Sequence, residues 1–220
     1  MENGIVEKKK NPKLFSMFWN PGEQLNRIRQ NPKIWIPLLI VTILYIVGST
    51  IMAFTMKIED FMVPDMTTQE AEMIAAIGKT TAAVTGFILP IMTILISTVI
   101  YLIIVKIAKK DTTFKQLFSM NTFIMVIGAV GLILNNLIVA VIDGKAGIFI
   151  TSLAGLLNSD SALLGTFELF SIWQLILTAM GLHRVGQLSK TVSVIIVIIL
   201  FLIGLGFAAI GSMFSGMAGL

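Results

Sequence analysis

The sequence contains no cysteine, one histidine and few charged residues. Without cysteine, the 220-residue chain has no disulfides, no thiolate nucleophile and no cysteine-based zinc or iron–sulfur site. One histidine, His183, does not make a histidine-rich metal site. Charged residues make up 13% of the chain, whereas a soluble domain averages about 25%. This composition excludes a disordered chain and an ordinary soluble domain, and it indicates a polytopic membrane protein.

Signatures of enzymes are also missing. The sequence has no Walker A loop, no HExxH and no GxSxG motif. The residues Gly204, Gly206 and Ala209 fit a dinucleotide-binding pattern by spacing, but they lie in an apolar segment with no strand before them. We therefore expect a non-enzymatic protein with no cofactor, no metal and no nucleic-acid partner.

Five apolar segments are long enough to cross a bilayer. A hydrocarbon core of about 30 Å requires about 20 helical residues. The segments that meet this requirement cover residues 34–56, 80–105, 116–142, 162–182 and 191–214. They are too long, and alternate too little, to be barrel strands. The sequence predicts an all-α transmembrane bundle of five spans over 34–214, after a basic segment over 1–33 and before a short outer tail over 215–220.

Helix-start signals precede several of these segments. Thr67, followed three residues later by Glu70, predicts a capping box and an exposed beginning of the second helix near residue 68. Asn31 before Pro32 predicts a cap for the first span. The segment 111–113 is expected to cap the third span.

Positive charge is distributed unevenly between the spans. Residues 1–33 carry seven lysines and arginines, residues 106–115 carry four, and residues 183–190 carry two. The opposite side has three, namely Lys57, Lys79 and Lys145. Because lysine and arginine accumulate on the cytoplasmic side, this division predicts a multi-pass protein of the cell membrane with its N-terminus inside and its C-terminus outside.

The N-terminal segment combines lysines with aromatic residues. This mixture is typical of a segment that lies among lipid headgroups. One interpretation is a membrane-surface platform offered to a partner, and the other is an anchor that fixes where the first span enters the bilayer. The residues assigned to this surface are Lys8, Lys9, Lys10, Phe15, Phe18 and Trp19.

Glu168 is the one ionisable residue predicted to lie well inside a span. It is about seven residues, or about 10 Å, from the outer end of the fourth span. A carboxylate at this depth requires a partner, because an unpaired buried charge is costly. Asn135 and Asn136 lie at similar depth in the third span, and we expect one of them to bond to Glu168.

Two further patterns lie in the last two spans. A polar stripe on the fourth span comprises Glu168, Ser171, Gln174 and Thr178, with Gly181 beyond it. It either bonds neighbouring helices or lines a water-filled or substrate path. A ridge of small residues on the fifth span, which allows close packing within the bundle or against another protein, comprises Gly204, Ala208, Gly211 and Ser215.

Three stretches resemble YIP-domain membrane proteins, over about residues 14–210. The first runs from Asn20 to Pro32, and the second is Phe114–Phe118 at the entry of the third span. The third is similar to the family's acidic-Leu-Phe-x-x-Trp signature, although Glu168 stands where the family usually has aspartate. It comprises Glu168, Phe170 and Trp173, followed by Leu177 and Gly181.

The resemblance implies a five-span bundle with a cytoplasmic N-terminus and, for the bacterial YknW type, an accessory of a MacAB-like ABC exporter linked to protection from a toxic peptide. Five spans do not divide into the two equal halves of an inverted-repeat transporter, which favours an accessory over a complete carrier. We therefore expect the lipid bilayer and exporter subunits as partners, with a homo-oligomer left open. The alternative is a small channel or transporter subunit whose path follows the fourth span.

Overall fold

The computed structural model describes residues 10–63, 65–144 and 146–217, without the side chains of residue 60 and residues 215–217. These described parts of the chain are helical and contain one isolated antiparallel bridge. The α-helices are α1 (Pro21–Gln30), α2 (Trp35–Thr55), α3 (Thr68–Ile107), α4 (Phe114–Ile142), α5 (Leu153–Leu156), α6 (Ala162–Gly165), α7 (Leu169–Arg184) and α8 (Lys190–Met217). Short 3-10 helices cover Phe15–Met17 and Ile58–Phe61.

Four of the described helices, α2, α3, α4 and α8, are long and apolar enough to cross a membrane. The prediction of an all-helical membrane bundle is confirmed, but the number of five spans is approximate. The fourth predicted span, over 162–182, is not one helix. The helix α6 ends at Gly165, residues 166–168 are not helical, and α7 begins at Leu169. At 1.5 Å per residue, the 16 residues of α7 measure about 24 Å, which is less than the hydrocarbon core.

Side-chain caps set where α3 and α4 begin. Thr67 and Glu70 form the predicted capping box, and α3 then continues for 40 residues. Thr113 forms a second box with Gln116 at the beginning of α4. The predicted cap at Asn31 is wrong, because Asn31 ends α1 and α2 begins four residues after it, at Trp35, without a side-chain cap.

The hydrophobic core surrounds α4. This helix packs against α2, α3 and α7, and its Leu117, Met120 and Phe123 are almost completely buried. The preceding α1 lies across α7 and α4 and buries Leu25 and Ile28 completely. The helix α4 is therefore the central element that positions α7.

The helix α8 lies at the edge of the bundle. It packs against α7 and α6, and the rings of Phe167 and Phe201 meet edge to face with centroids 5.4 Å apart. In the most apolar 18-residue stretch of α8, only 6% of the residues are buried inside the chain. Most of the surface of α8 is therefore not covered by other parts of the described chain.

Candidate functional site

The Glu168 carboxylate lies where α7 begins and is only 4% exposed. Its Oε2 accepts a 2.6 Å hydrogen bond from the backbone N–H of Ser171, so Glu168 caps α7 instead of lying within a helix. Its Oε1 accepts a 2.6 Å bond from the hydroxyl of Thr151. The positive end of the α7 helix dipole lies beside this carboxyl group.

Thr151 connects Glu168 to α4. The Asn135 amide donates to the Thr151 hydroxyl at 2.9 Å, and the Thr151 backbone N–H donates to Asn135 Oδ1 at 2.9 Å. The prediction of a direct bond from Asn135 or Asn136 to Glu168 is therefore wrong. Asn136 instead donates to the backbone carbonyl of Gly48 on α2 at 3.1 Å. The sequence analysis missed Thr151 because it lies in the irregular loop between α4 and α5, outside every predicted span.

Backbone hydrogen bonds join the loop that carries Thr151 to the start of α7. Leu153 N–H donates to the carbonyl of Phe167 at 3.1 Å, and Leu169 N–H donates to the carbonyl of Thr151 at 3.2 Å. These two bonds form the antiparallel bridge between Ser152 and Glu168. Non-helical backbone is tolerated at membrane depth only where protein or a water-filled cavity surrounds it, and this pairing satisfies the backbone groups beside Glu168.

Two cavities meet at this site. One, of about 530 Å³, lies among α2, α3, α4 and α7, and the other, of about 420 Å³, lies among α3, α4, α7 and α8. Both are lined by Phe149, Glu168, Ser171 and Gln174. The second also exposes hydroxyl and amide groups of α3 and α4, namely those of Thr93, Ser97, Tyr101 and Asn121. The carboxylate thus lies on the wall shared by two cavities whose lining is mainly apolar, with a few polar groups.

The stripe on α7 faces these cavities and also contacts α4. The Gln174 amide lies 3.5 Å from the carbonyl of Ile124, and Thr178 donates to the Gln174 carbonyl of its own helix at 2.8 Å. Gly128 makes room for this contact, since a Cβ there would be 2.8 Å from both the Gln174 amide and the Tyr45 hydroxyl. The arrangement is compatible with both interpretations of the stripe. No group of three or more metal-ligating side chains occurs among the described residues.

The signature residues after Glu168 bind α7 to its neighbours. Phe170 packs on Gly131 of α4, where an added Cβ would lie 2.5 Å from the ring. Trp173 meets Phe18 edge to face at 5.4 Å. Gly181 admits the sulfur of Met120, which would be 2.6 Å from a Cβ at that position. The signature therefore holds α7 on α4 and on the N-terminal segment.

A comparison with protein families matches residues 15–211 to the Yip1 domain. This chain belongs to the Yip1 domain family. It is 35% identical over 213 residues to the membrane protein YknW of Bacillus subtilis (strain 168), a match that covers 94% of this chain and 90% of YknW. No solved structure matches the chain.

The residues of this Yip1-domain chain that were assigned to a membrane surface differ in exposure. Lys10 is exposed, Phe15 is 47% exposed and Trp19 is 72% exposed. Phe18 is less exposed than these residues, because its ring packs edge to face on Trp173. Lys8 and Lys9 lie outside the described residues.

The small-residue ridge lies on α8, and its Gly204 lines the cavity of about 420 Å³ together with residues of α3, α4 and α7. A Cβ added at Gly204 or at its neighbour Gly206 would meet no heavy atom within 4 Å. Ala208 and Gly211 follow on the same helix, and the Ser215 side chain is outside the described part. The Gly204 end of the ridge is thus not used to pack α8 within the chain.

Proposed function

We propose that this chain is a non-enzymatic accessory subunit of a membrane transporter of the ABC exporter class, and that it assists assembly or resistance to a toxic peptide. The exporter class follows from the resemblance to YknW-type proteins. The observation that carries the accessory role is the position of α8.

Small residues in a membrane helix favour close contact with another helix. In this chain, Gly131 and Gly181 serve such contacts, because side chains of Phe170 and Met120 fill the space beside them. A Cβ added at Gly204 or Gly206 would instead meet no heavy atom of the chain within 4 Å, and Gly204 borders the cavity of about 420 Å³. A helix of a partner subunit would fill this space.

Photo-crosslinking in native membranes tests this proposal. A photoreactive phenylalanine analogue replaces Gly204, and the matched control places it at Phe54 of α2, which is 83% exposed. We expect adducts with an exporter membrane subunit, identified by mass spectrometry, from position 204 and not from position 54. Lipid adducts alone from position 204, in cells that contain the assembled exporter, would contradict the proposal.

A genetic test addresses the same role. Removal of the protein should lower resistance to the toxic peptide that the exporter handles, and the wild-type chain should restore it. Gly204→Leu should restore less resistance than wild type at equal membrane abundance. Full resistance without the protein would overturn the accessory role.

A second candidate function is a small channel or transporter subunit. The observation that favours it is the pair of cavities that meet at Glu168. Purified protein in proteoliposomes should then move solute by itself, and Glu168→Gln should reduce the flux at unchanged protein abundance. Flux of this kind would favour the channel over the accessory role, and its absence would remove the second candidate.

A further inference from the structure

An apolar groove runs between α7 and α8. Its volume is about 680 Å³, and its polar residues are concentrated at one end. The apolar walls come from both helices: Phe167, Ile172, Leu175, Ile176, Ala179, Met180, Val194, Val197, Ile198 and Phe201. The groove shares Leu175 and Phe201 with the cavity of about 420 Å³, but Glu168 and its partners Thr151 and Ser171 do not line it.

The polar end of the groove is basic. It is formed by His183 and Arg184, where α7 ends, and by Lys190, where α8 begins. Arg184 donates to the Gly22 carbonyl at 3.4 Å and to Asn26 Oδ1 at 3.2 Å, both neutral acceptors. No carboxylate of the described residues forms an ion pair with Arg184 or Lys190. This end therefore carries positive charge that the described chain does not neutralise.

The length of the groove corresponds to one leaflet of a bilayer. From Ile172 to His183 the helix rises about 16 Å. Half of a hydrocarbon core of about 30 Å is about 15 Å. An acyl chain that lies along the apolar walls would thus place its headgroup level with the basic end.

We infer that this groove binds an anionic phospholipid, with acyl chains against α7 and α8 and the headgroup phosphate at Arg184 and Lys190. Phosphate forms charge-assisted bonds with arginine and lysine, and basic residues at a membrane surface select anionic lipids. A partner helix would need no positive charge at one end of an otherwise apolar groove. The inference concerns a different part of α8 from the exporter proposal, since the walls end at Phe201, before the Gly204 ridge.

Native mass spectrometry of the full chain in neutral detergent tests the inference. Phosphatidylglycerol and phosphatidylcholine with identical acyl chains are titrated, and we expect phosphatidylglycerol to bind more tightly. Lys190→Gln should weaken its binding about fivefold, the effect of one basic residue near a membrane surface. The matched control is Lys106→Gln, because Lys106 is also exposed at a helix end but does not line the groove. Equal affinity for both lipids, or equal loss in both variants, would overturn the inference.

A second pair of variants tests the apolar part. Ala179→Phe fills the groove and should weaken binding of both lipids, whereas Ala140→Phe on exposed α4 surface should not. Thermal unfolding establishes that both variants are folded. Glycerol phosphate, which lacks acyl chains, should not displace the lipid, and displacement would assign the basic end to a soluble anion. A photoreactive residue at Ile198 should form lipid adducts in native membranes, and adducts with protein would assign the groove to a partner helix or a second copy and overturn the inference.

Discussion

The helices α4 and α8 have almost equal length and similar apolar character, yet the fold uses them differently. In the most apolar 18-residue stretch, 44% of α4 is buried inside the chain, whereas α8 reaches only 6%. The two helices have 29 and 28 residues. Hydropathy alone therefore does not distinguish the centre of this bundle from its edge.

Polar and small residues account for the difference. Asn121, Asn135 and Asn136 of α4 are all buried and hydrogen-bonded to other segments of the chain. Such bonds join membrane helices that gain little from burying apolar surface, because the lipid is equally apolar. On α8, the hydroxyls of Ser193 and Ser212 donate to carbonyls at most four residues earlier in the chain. The helix α4 is joined to its neighbours by specific bonds, and α8 is available for other contacts.

The largest expected effect comes from enlarging one glycine on each helix. Gly131→Leu should cost on the order of 3 kcal/mol of stability or prevent folding, because Phe170 occupies the space of the new side chain. Gly204→Leu should change stability by less than about 0.5 kcal/mol. Thermal unfolding of the purified variants in one detergent measures both. Similar losses in the two variants would refute the comparison.

The next effect comes from removing a buried amide of α4. Asn135→Leu should cost about 2 kcal/mol, because the backbone N–H of Thr151 loses its acceptor and the Thr151 hydroxyl loses the amide that donates to it. Hydrogen exchange should accelerate over residues 149–153. Ser212→Ala on α8, whose hydroxyl bonds only within its helix, is the control and should leave exchange in this loop unchanged. Unchanged exchange after Asn135→Leu would contradict the proposed connection.

A smaller effect is expected at Glu168. Glu168→Gln retains one acceptor oxygen for two donors, Thr151 and Ser171, and should cost about 1 kcal/mol. Glu168→Leu removes both acceptors and should cost more. Unfolding midpoints of the two variants, compared with wild type, give the order. If Glu168→Leu keeps the full stability of the wild type, the two bonds that Glu168 accepts at the start of α7 contribute nothing to stability.

The smallest effect is expected at the end of α4. Asp143 forms a 2.7 Å ion pair with Lys57, but the two side chains are 83% and 40% exposed. Exposed pairs contribute little, so Asp143→Asn should change stability by less than about 0.5 kcal/mol. Asparagine also accepts the left-handed backbone conformation of residue 143, where φ is 55°. A loss above 1 kcal/mol, or a strong dependence on salt, would contradict this estimate.

The sequence predicted the long helices and the capping box at the beginning of α3. Thr67 and Glu70 are three residues apart and bond to each other within one helical turn, so their spacing in the sequence was sufficient to predict the box. The break before α7 was missed because Thr166 and Phe167 lie in an uninterrupted apolar stretch. The backbone at residues 167–169 pairs with residues 151–153, and amino-acid composition gives no sign of such pairing. Asn31 was assigned to the wrong helix because asparagine is common at both helix ends.

The candidate site was predicted in part. Glu168 and Asn135, which the sequence analysis paired, both hydrogen-bond to Thr151 and so lie in one network. Their connection through Thr151 could not be predicted, because it depends on where an irregular loop returns. The same limit applies to Phe18, whose ring direction is set by Trp173, more than 150 residues away in the sequence.

The short α7 also constrains how the protein enters the membrane during synthesis. A segment of 16 residues that carries a carboxylate at one end and polar groups along one face is a poor candidate for independent insertion. Its partners Asn135, Thr151 and Gly131 all precede it in the chain, so they are already synthesised when α7 emerges. The chain order thus lets earlier helices act as the template that receives α7.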